Sequence, residues 1–448
     1  MKAKIIIVLN LFLFLAGFVI TGYSQGIINS GGYITGSSTN FIKFSGSGDM
    51  TLKSTTADRT TFGNMVVDFT GSSTYKLTIP DDSYITVDGN LTLSDTLLLE
   101  ASSSGMASLI TNGTVSGSYS KVEQYLTQDQ WHIISSPVSS ATANVYLGIY
   151  LQKWNEPDST WAWVTQITDP LNITQGYFAW SASGIISPTD VTFHGLLNTG
   201  NQTVANLTYN NNAGEGHGWC LVGNPYPSAV EWNSSWTKSN IDATIYIYDG
   251  TQYKTWNYNL PAISNTLPNG EIPPTQGFWV KANASSPSMT IPNSERCHTS
   301  NSFYKGSEST IPDMLNFSIT GNGYNDNMLI GTLSEATEDF DSEYDAYKLF
   351  GIEAAPQLYS YINDTKFAVN LFPEITENKV IPLGLKTGAA MEYTIEVEGL
   401  DNFDPLIYVY LEDYLTGNMT NLRENPVYTF NAGEGLDEDR FVLHFNVD

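Results

Sequence analysis

Tryptophan side chains are the residues of this sequence best suited to binding chemistry. All ten tryptophans of the 448-residue chain lie between residues 127 and 300. Aromatic rings exposed at turns stack on the apolar faces of sugars, and tryptophan is enriched at binding hot spots. The candidate ligand-binding residues lie around two predicted hairpins and after a proline-containing turn: Trp154, Trp161, Trp163, Trp232, Trp236, Trp256 and Tyr258.

The phrase WAW shows how such rings could share a surface. Alternation along a strand places Trp161 and Trp163 on the same face. That face is either a platform for carbohydrate or part of the hydrophobic core, because aromatic side chains are often buried. The sequence therefore predicts carbohydrate binding as one use of these rings and leaves core packing as the other.

Acidic side chains supply a second kind of candidate site. The segment from Glu338 to Asp345 alternates oxygen donors, and its candidate calcium ligands are Asp339, Asp341, Glu343 and Asp345. A calcium ion takes about six to eight oxygen ligands, so a neighbouring loop would have to complete the site. A solvated acidic surface is the alternative. Calcium is the one cofactor that the sequence suggests, and we expect no other.

Motifs of known catalytic sites do not occur. The five histidines are not spaced as a metal pair, and the sequence contains no HExxH, GxSxG or phosphate-binding loop. Ser135 and Ser136 correspond to Gly223 and Asn224 in a second copy of the same phrase, which argues against a serine nucleophile. No local pattern selects the two carboxylates that a glycosidase requires. We therefore predict that the chain is not an enzyme.

The net charge of the chain excludes some classes of binding partner. The formal net charge is -27 with only 19 basic residues, so the protein repels nucleic acid and anionic lipid surfaces. The length exceeds what one hydrophobic core supports and predicts two to four domains.

The first residues have the layout of an export signal. Lys2 and Lys4 precede an apolar run, and small residues lie before a cut after Ser24. Residues 1–24 are therefore predicted to be a signal peptide, and no later run approaches the roughly 18 apolar residues of a membrane span. We expect the mature chain outside the cytoplasm, where Cys220 and Cys297 could form a disulfide. Cys220 lies in the apolar phrase WCLV, so a buried free thiol is the alternative.

Residues 25–126 combine little charge with Gly, Ser and Thr between short alternating strands. Asn64, Asn90 and Asn112 mark corners that recur every 22 to 26 residues. This is the length of one coil of a β-solenoid, and Asn and Gly tolerate the backbone geometry of its corners. We favour a β-solenoid-like region over a sandwich built of hairpins.

Residues 127–300 contain an internal duplication, with halves of about 127–205 and 206–300. WHIISSPV at 131–138 matches WCLVGNPY at 219–226, and TQGYFAW at 174–180 matches TQGFWVKA at 275–282. A hairpin phrase lies between these blocks in each half. The order and spacing predict two related aromatic-rich β-units that pack against each other.

Residues 301–310 form a predicted linker, and residues 311–448 are strongly acidic. From Glu308 onward the chain has 26 of its 46 acidic residues against six basic ones. Eight alternating segments separated by turn residues predict an antiparallel β-sandwich. The complete chain is thus predicted to be all-β.

The phrases of the duplicated module and of the C-terminal region resemble those of a known group of proteins. WHIISSPV, TQGYFAW and WCLVGNPYPSAVEW are similar to a module of surface and secreted proteins of Bacteroidetes. FDSEYDAYKL at 340–349 and DRFVLHF at 439–445 resemble the β-sandwich that precedes the sorting domain in cargo of the type IX secretion system. The resemblance implies export across the outer membrane and association with its secretion machinery. No sorting domain follows Phe445 in this sequence.

These observations predict an exported, adhesin-like structural or binding protein at the cell surface or in the medium. The solenoid would be a spacer, the duplicated module the contact surface, and the acidic sandwich the membrane-proximal or sorting-side domain. Its partner would be a polysaccharide or a surface protein. A carbohydrate-binding accessory protein of polysaccharide utilisation is the alternative, and a polysaccharide lyase or hydrolase the third reading.

Overall fold

The computed structural model describes residues 18–22, 27–29, 40–55, 60–70, 74–184, 189–210, 216–260, 270–299 and 313–447. Strands dominate this part of the chain, beside short 3₁₀ turns at Ala143–Tyr146, Glu156–Asp158 and Asn293–Glu295. No helix in these ranges is long and apolar enough to cross a membrane. The predicted linker 301–310 and most of the predicted signal peptide lie outside the described residues.

The chain divides into two compact units that are interleaved in sequence. The first comprises residues 1–241 and 271–305, and the second comprises residues 242–270 and 306–448. Residues 242–270, which we assigned from sequence to the duplicated module, therefore belong to the same unit as the C-terminal region.

The first region consists of short strands. Their bounds are β1 (Phe18–Gly22), β2 (Ile27–Asn29), β3 (Phe41–Gly46), β4 (Met50–Ser54), β5 (Thr61–Phe62), β6 (Asn64–Val67), β7 (Lys76–Ile79), β8 (Tyr84–Val87), β9 (Leu91–Leu93), β10 (Thr96–Leu99), β11 (Ala101–Ser102), β12 (Gly105–Met106), β13 (Ser108–Thr111), β14 (Val115–Ser116) and β15 (Ser120–Tyr125).

Apart from the antiparallel pair of β11 and β12, these strands stack in parallel in three sheets, as in a β-solenoid. One sheet has the order β1-β3-β6-β9-β14, the second β2-β4-β7-β10-β15 and the third β13-β8-β5. Met65 lies opposite Leu91, and Leu91 lies opposite Val115, so one coil takes 26 and then 24 residues. The solenoid-like prediction is confirmed. Strand β1 lies within the predicted signal peptide and pairs with β3.

Asparagine side chains connect successive coils at one corner. Asn64 Oδ1 accepts a hydrogen bond from the backbone N–H of Asn90 at 2.8 Å, and Asn90 Oδ1 accepts one from Thr114 at 2.9 Å. The third residue in this series of corner positions is therefore Thr114 and not Asn112. The side-chain amide of Asn112 instead donates to Asp88 of the preceding coil at 3.0 Å. The expectation for Asn112 was wrong by two positions, because the coil that follows Asn90 takes 24 residues and not 22.

Glycines allow the backbones to approach closely at the same corner. The N–H of Gly89 donates to the carbonyl of Gly63, and the N–H of Gly113 donates to that of Gly89 at 3.0 Å. A Cβ atom on Gly89 would lie 2.5 Å from the carbonyl oxygen of Gly63. No side chain fits between these coils, because the clashing atom belongs to the backbone.

We predict that Gly89→Ala destabilises the protein by about 2 kcal/mol or more, since the added methyl forces two coils apart. Urea denaturation of the purified chain measures the change. Gly433→Ala is the matched control, because a Cβ there meets open space. Equal stability of the two variants would contradict the glycine stack.

The middle region contains the strands of the duplicated module and the segments around it. Their bounds are β16 (Trp131–Ile134), β17 (Tyr150–Asn155), β18 (Thr160–Trp163), β19 (Tyr177–Trp180), β20 (Asp190–Gly195), β21 (Gln202–Thr203), β22 (Trp219–Gly223), β23 (Ala229–Glu231), β24 (Thr237–Ser239), β25 (Ile241–Tyr248), β26 (Tyr253–Asn257), β27 (Glu271–Ile272), β28 (Gly277–Ala282), β29 (Ser288–Ile291) and β30 (Arg296–Cys297).

Both halves of the module contain the same two pieces in the same order. In the first half β16 pairs with β19, and β17 and β18 form a hairpin. In the second half β22 pairs with β28, and β25 and β26 form a hairpin. Between the two halves, β20 adds in antiparallel fashion to β15 and covers that edge of the solenoid sheet.

The two halves contact each other reciprocally through their TQG segments. Ser135 N–H donates to the carbonyl of Thr275 at 2.8 Å, and Gly223 N–H, at the matching position, donates to that of Thr174 at 2.9 Å. Thr174 and Thr275 both have positive φ, at 67° and 57°. This exchange of equivalent contacts is the geometry of a pseudo-twofold interface.

The end of the first unit packs on the third solenoid sheet. His298 is buried, with Nδ1 2.8 Å from Ser108 Oγ and Nε2 2.9 Å from Thr86 Oγ1. Burial, together with the nearby Arg296 guanidinium, lowers the pKa of His298 from 6.5 to about 4. The imidazole is therefore neutral in the folded protein at physiological pH.

We predict that acid weakens the first unit through His298. Unfolding raises the pKa of this histidine, so protonation favours the unfolded chain below pH 6.5, and about 3 kcal/mol is lost between pH 6.5 and 4. Urea midpoints of the wild type and of His298→Asn across this range measure the effect. The variant should lose this slope, whereas His194→Asn, at an exposed site, should retain most of it; an unchanged slope in His298→Asn would contradict the assignment.

The C-terminal region forms one large sheet. Its strands are β31 (Met314–Gly321), β32 (Tyr324–Thr332), β33 (Ala346–Tyr347), β34 (Gln357–Ile362), β35 (Thr365–Phe372), β36 (Lys379–Thr387), β37 (Met391–Glu398), β38 (Ile407–Asp413), β39 (Asn418–Asn421), β40 (Val427–Ala432) and β41 (Gly435–Val447). All eight segments predicted from the sequence are strands, in the order β39-β38-β41-β36-β34-β35-β32-β31-β37-β40, with β33 beside β35.

This sheet is mixed and curls around a single core. Strands β32 and β35 are parallel, whereas the other pairs are antiparallel. The two ends of the strand order meet, because Tyr428 of β40 donates to Asp413 of β38 at 2.8 Å, and Arg440 forms a buried ion pair with Asp413 at 2.8 Å. The predicted sandwich is therefore realised as one continuous sheet whose inner face supplies the hydrophobic core.

Candidate functional site

The register of the first-half sheet aligns aromatic residues across its strands. The sheet has the order β16-β19-β17-β18. Trp131 of β16 lies opposite Trp180 of β19, which lies opposite Tyr150 of β17. Residues directly opposite each other point to the same side of a sheet. These three rings therefore share one face.

The next rows extend the same face. Phe178 of β19 lies opposite Gln152 of β17, which lies opposite Trp163 of β18, and Trp154 lies opposite Trp161. Phe178, Gln152 and Trp154 are two or four positions from a member of the first row, so alternation keeps them on that side. Trp163 and Trp161 lie opposite Gln152 and Trp154 and therefore point the same way. We define the aromatic face as Trp131, Tyr150, Trp154, Trp161, Trp163, Phe178 and Trp180, with Gln152 among them.

The opposite face of this sheet is buried. Ile134, Leu151, Tyr177 and Ala179 point that way and join the hydrophobic cluster that also fills the solenoid. The aromatic face points to the other side, which is open only in part, because Ile133, opposite Phe178, is 1% exposed. Trp163 and Tyr150 are 55% and 51% exposed, and Trp161 is 37% exposed.

The rings of the aromatic face form a contiguous layer. Phe178 stacks on Trp131 and on Trp161 with centroid distances of 5.0 Å in both pairs. Trp163 meets Tyr150 edge to face at 6.1 Å. Because Phe178 and Trp161 lie on strands either side of β17, their stack spans that strand.

The hairpin tip that carries these rings is held by a buried carboxylate. Glu156, in the turn between β17 and β18, accepts hydrogen bonds from the backbone N–H groups of Asn210 and Gly218, both at 2.7 Å. Trp154 Nε1 donates to the carbonyl of Trp219 at 2.8 Å. The β17–β18 hairpin is thus fastened to the start of the second half.

Among its described residues, the second half presents no comparable open surface. Trp219 and Trp279, the counterparts of Trp131 and Phe178, are only 7% and 6% exposed. Trp279 meets Trp154 edge to face at 5.5 Å and Trp161 at 5.8 Å. The second half therefore packs against part of the first half's aromatic face.

The structure separates the tryptophans that we predicted as ligand-binding residues into two groups. Trp154, Trp161 and Trp163 lie on the aromatic face. Trp232, Trp236 and Trp256 are 0%, 3% and 7% exposed, so the prediction that they contact sugar at the surface was wrong. Trp232 and Trp236 pack against each other at 4.8 Å, and Tyr258 lies half-buried in the second unit.

We did not predict five residues of this face from the sequence: Trp131, Tyr150, Phe178, Trp180 and the single amide, Gln152. Tyr150 and Gln152 precede Trp154 at alternate positions in YLQKW, and Phe178 and Trp180 alternate in YFAW. The alternation was visible, but only the strand order places the two phrases side by side.

In the acidic loop of the second unit, the carboxylate of Asp345 accepts hydrogen bonds from the protein's own backbone. Asp345 is buried, and its two carboxylate oxygens accept backbone N–H groups of Asp341 at 2.8 Å and Leu371 at 2.9 Å. Burial raises the pKa of Asp345 to about 7. Both carboxylate oxygens of Asp345 are thus used within the protein, and calcium binding by this loop stays a prediction.

The other predicted calcium ligands do not converge. Glu343 accepts a hydrogen bond from Asn259 at 2.9 Å, and Asp339 is exposed. Within the described ranges no three His, Cys, Asp or Glu side chains lie close enough together to hold a metal ion.

Both cysteines are free thiols in the structure. Cys220 is buried in β22 and donates to the carbonyl of Thr208 at 3.3 Å, and burial raises its pKa to about 11. Of the two alternatives left open by the sequence, the structure has the free thiol, with Cys297 on β30 half-buried.

Comparison with known proteins assigns a family to the chain. Residues 49–445, which include solenoid coils, the duplicated module and the C-terminal sheet, match the model of a domain of unknown function, DUF8693. The chain belongs to this family. No curated protein and no solved structure matches it. The match spans both compact units of this DUF8693 member.

We predict that loss of the buried Trp279 ring lowers the stability of the protein more than loss of the exposed Trp163 ring. Trp279→Ala removes a buried ring that contacts three other tryptophans and should cost about 3–5 kcal/mol in urea denaturation. Trp163→Ala, at a site 55% exposed, should cost less than about 1 kcal/mol. Similar losses in the two variants would show that the aromatic face is part of the core.

Proposed function

We propose that this chain is an exported, adhesin-like binding protein without catalytic activity, and that its aromatic face holds a neutral polysaccharide. The observation that carries the proposal is the placement of seven aromatic side chains on one sheet face, with three of them more than a third exposed. Large exposed apolar patches on a protein surface mark interaction sites.

The chemistry of the face favours a neutral sugar over a charged partner. Its members are Trp, Tyr and Phe with a single Gln, so it carries no charged side chain. Phe178 stacks on Trp131 and on Trp161, so the three rings form one continuous apolar surface. The net charge of -27 repels polyanions over a longer range.

The other parts of the chain support this role in the proposal. Residues 1–24 would direct export, and the solenoid coils would serve as a rigid spacer for the module. Export along the type IX route, in an organism of the Bacteroidetes, belongs to the same proposal and rests on the phrases quoted from the sequence.

Binding to neutral polysaccharides tests the proposal. In affinity gel electrophoresis we expect retardation of the purified chain by at least one neutral polysaccharide and none by alginate or polygalacturonate. The double variant Tyr150→Ala/Trp163→Ala should bind at least about tenfold more weakly, because each exposed ring at a binding hot spot contributes more than about 1 kcal/mol.

Tyr119→Ala is the matched control, because Tyr119 is as exposed as Trp163 but lies outside the aromatic face. This variant should bind as the wild type does. Binding that survives the double variant, or failure of the wild type to bind any neutral polysaccharide in a broad panel, would overturn the proposal. In the second case a protein partner becomes the candidate ligand.

A further inference from the structure

Gln152 is the only residue of the aromatic face that can form directed hydrogen bonds from an amide. It lies opposite Phe178 on one neighbouring strand and opposite Trp163 on the other. Along its own strand, Tyr150 and Trp154 lie two positions away on the same side. The amide is therefore surrounded by four rings in the middle of the face.

The side chain of Gln152 has no protein partner to satisfy it. It is half-buried, and it takes part in no side-chain hydrogen bond within the described part of the chain. A glutamine amide offers two donors and one acceptor oxygen. An amide among aromatic rings that is not used by the protein is available to a ligand and loses hydration when a ligand covers it.

From this geometry we infer that Gln152 determines which sugar the aromatic face accepts. The inference rests on the proposed function and specifies its ligand. Rings stack on any pyranose that presents an apolar face, so they supply affinity with little discrimination. The amide, by contrast, requires a hydroxyl acceptor and a hydroxyl donor at one place on the sugar. The preferred ligand is then a neutral polysaccharide with an unsubstituted vicinal hydroxyl pair on the residue above Gln152.

The energetic reason is the cost of covering a polar group without a partner. A sugar whose hydroxyls meet the amide replaces its water hydrogen bonds, and a sugar with the wrong stereochemistry or an acetylated hydroxyl does not. Sites built to hydrogen-bond a hydroxyl discriminate against ligands that lack it more strongly than apolar pockets do. Gln152 thus sets the ratio between the affinities for different sugars, whereas the rings raise the affinity for every sugar.

Gln152→Leu tests this separation of roles. Leucine is similar in size and removes the hydrogen-bonding groups, and no buried protein partner is left unsatisfied, so the fold should be retained. Affinities for a panel of neutral polysaccharides that differ in one hydroxyl configuration or in acetylation are measured by affinity electrophoresis for wild type, Gln152→Leu and Trp163→Ala. The urea midpoint of each variant checks its fold.

We expect Gln152→Leu to weaken the preferred ligand by about 3- to 10-fold and to leave the disfavoured ones unchanged or tighter, so that the preference shrinks. Trp163→Ala should weaken all ligands by a similar factor and keep their ranking. An unchanged ranking in folded Gln152→Leu, with binding lost in Tyr150→Ala/Trp163→Ala, would overturn the role of Gln152 and leave the proposed function standing. Absence of binding by the wild type would overturn both.

Discussion

The reciprocal contact between the two TQG segments is the constraint on which the module depends. A Cβ atom on Gly176 would lie 2.8 Å from the carbonyl oxygen of Val222, and one on Gly277 would lie 3.2 Å from that of Ile134. Only glycine permits this approach of the two backbones. Since the strands that follow these glycines are β19 and β28, the contact fixes Phe178 relative to Trp279.

Matching positions in the two halves show why the first half has exposed aromatic rings and the second half does not. Trp180 packs against Trp131 at 5.4 Å in the first half, whereas Lys281 occupies the matching position in the second, with its ammonium 5.3 Å from the Trp219 ring. The β17–β18 hairpin lies over Trp279. The two copies therefore differ in the exposure of their matching rings, whereas their main-chain contacts are reciprocal.

Much of this arrangement could be predicted from the sequence, because its causes are local. The solenoid period follows from corner residues that recur along the chain, and the duplication follows from three matching phrases. The burial of Trp232 and Trp236 could not be predicted, since their turn packs on Phe278, which comes from a distant segment. Alternating acids likewise do not reveal that Asp345 caps backbone N–H groups of its own unit. The central place of Gln152 depends on strand order, which alternation within one strand cannot supply.

The charge distribution of the chain gives the exposed rings a further consequence. An open aromatic face invites self-association, and a net charge of -27 opposes it by repulsion between copies. The same repulsion acts on any polyanion, and it is weakened by salt because it operates over a Debye length of about 8 Å at physiological ionic strength. A neutral polymer meets no such barrier. In the function that we propose, long-range charge selects the class of ligand, and contacts at the surface of β17, β18 and β19 make the choice within that class.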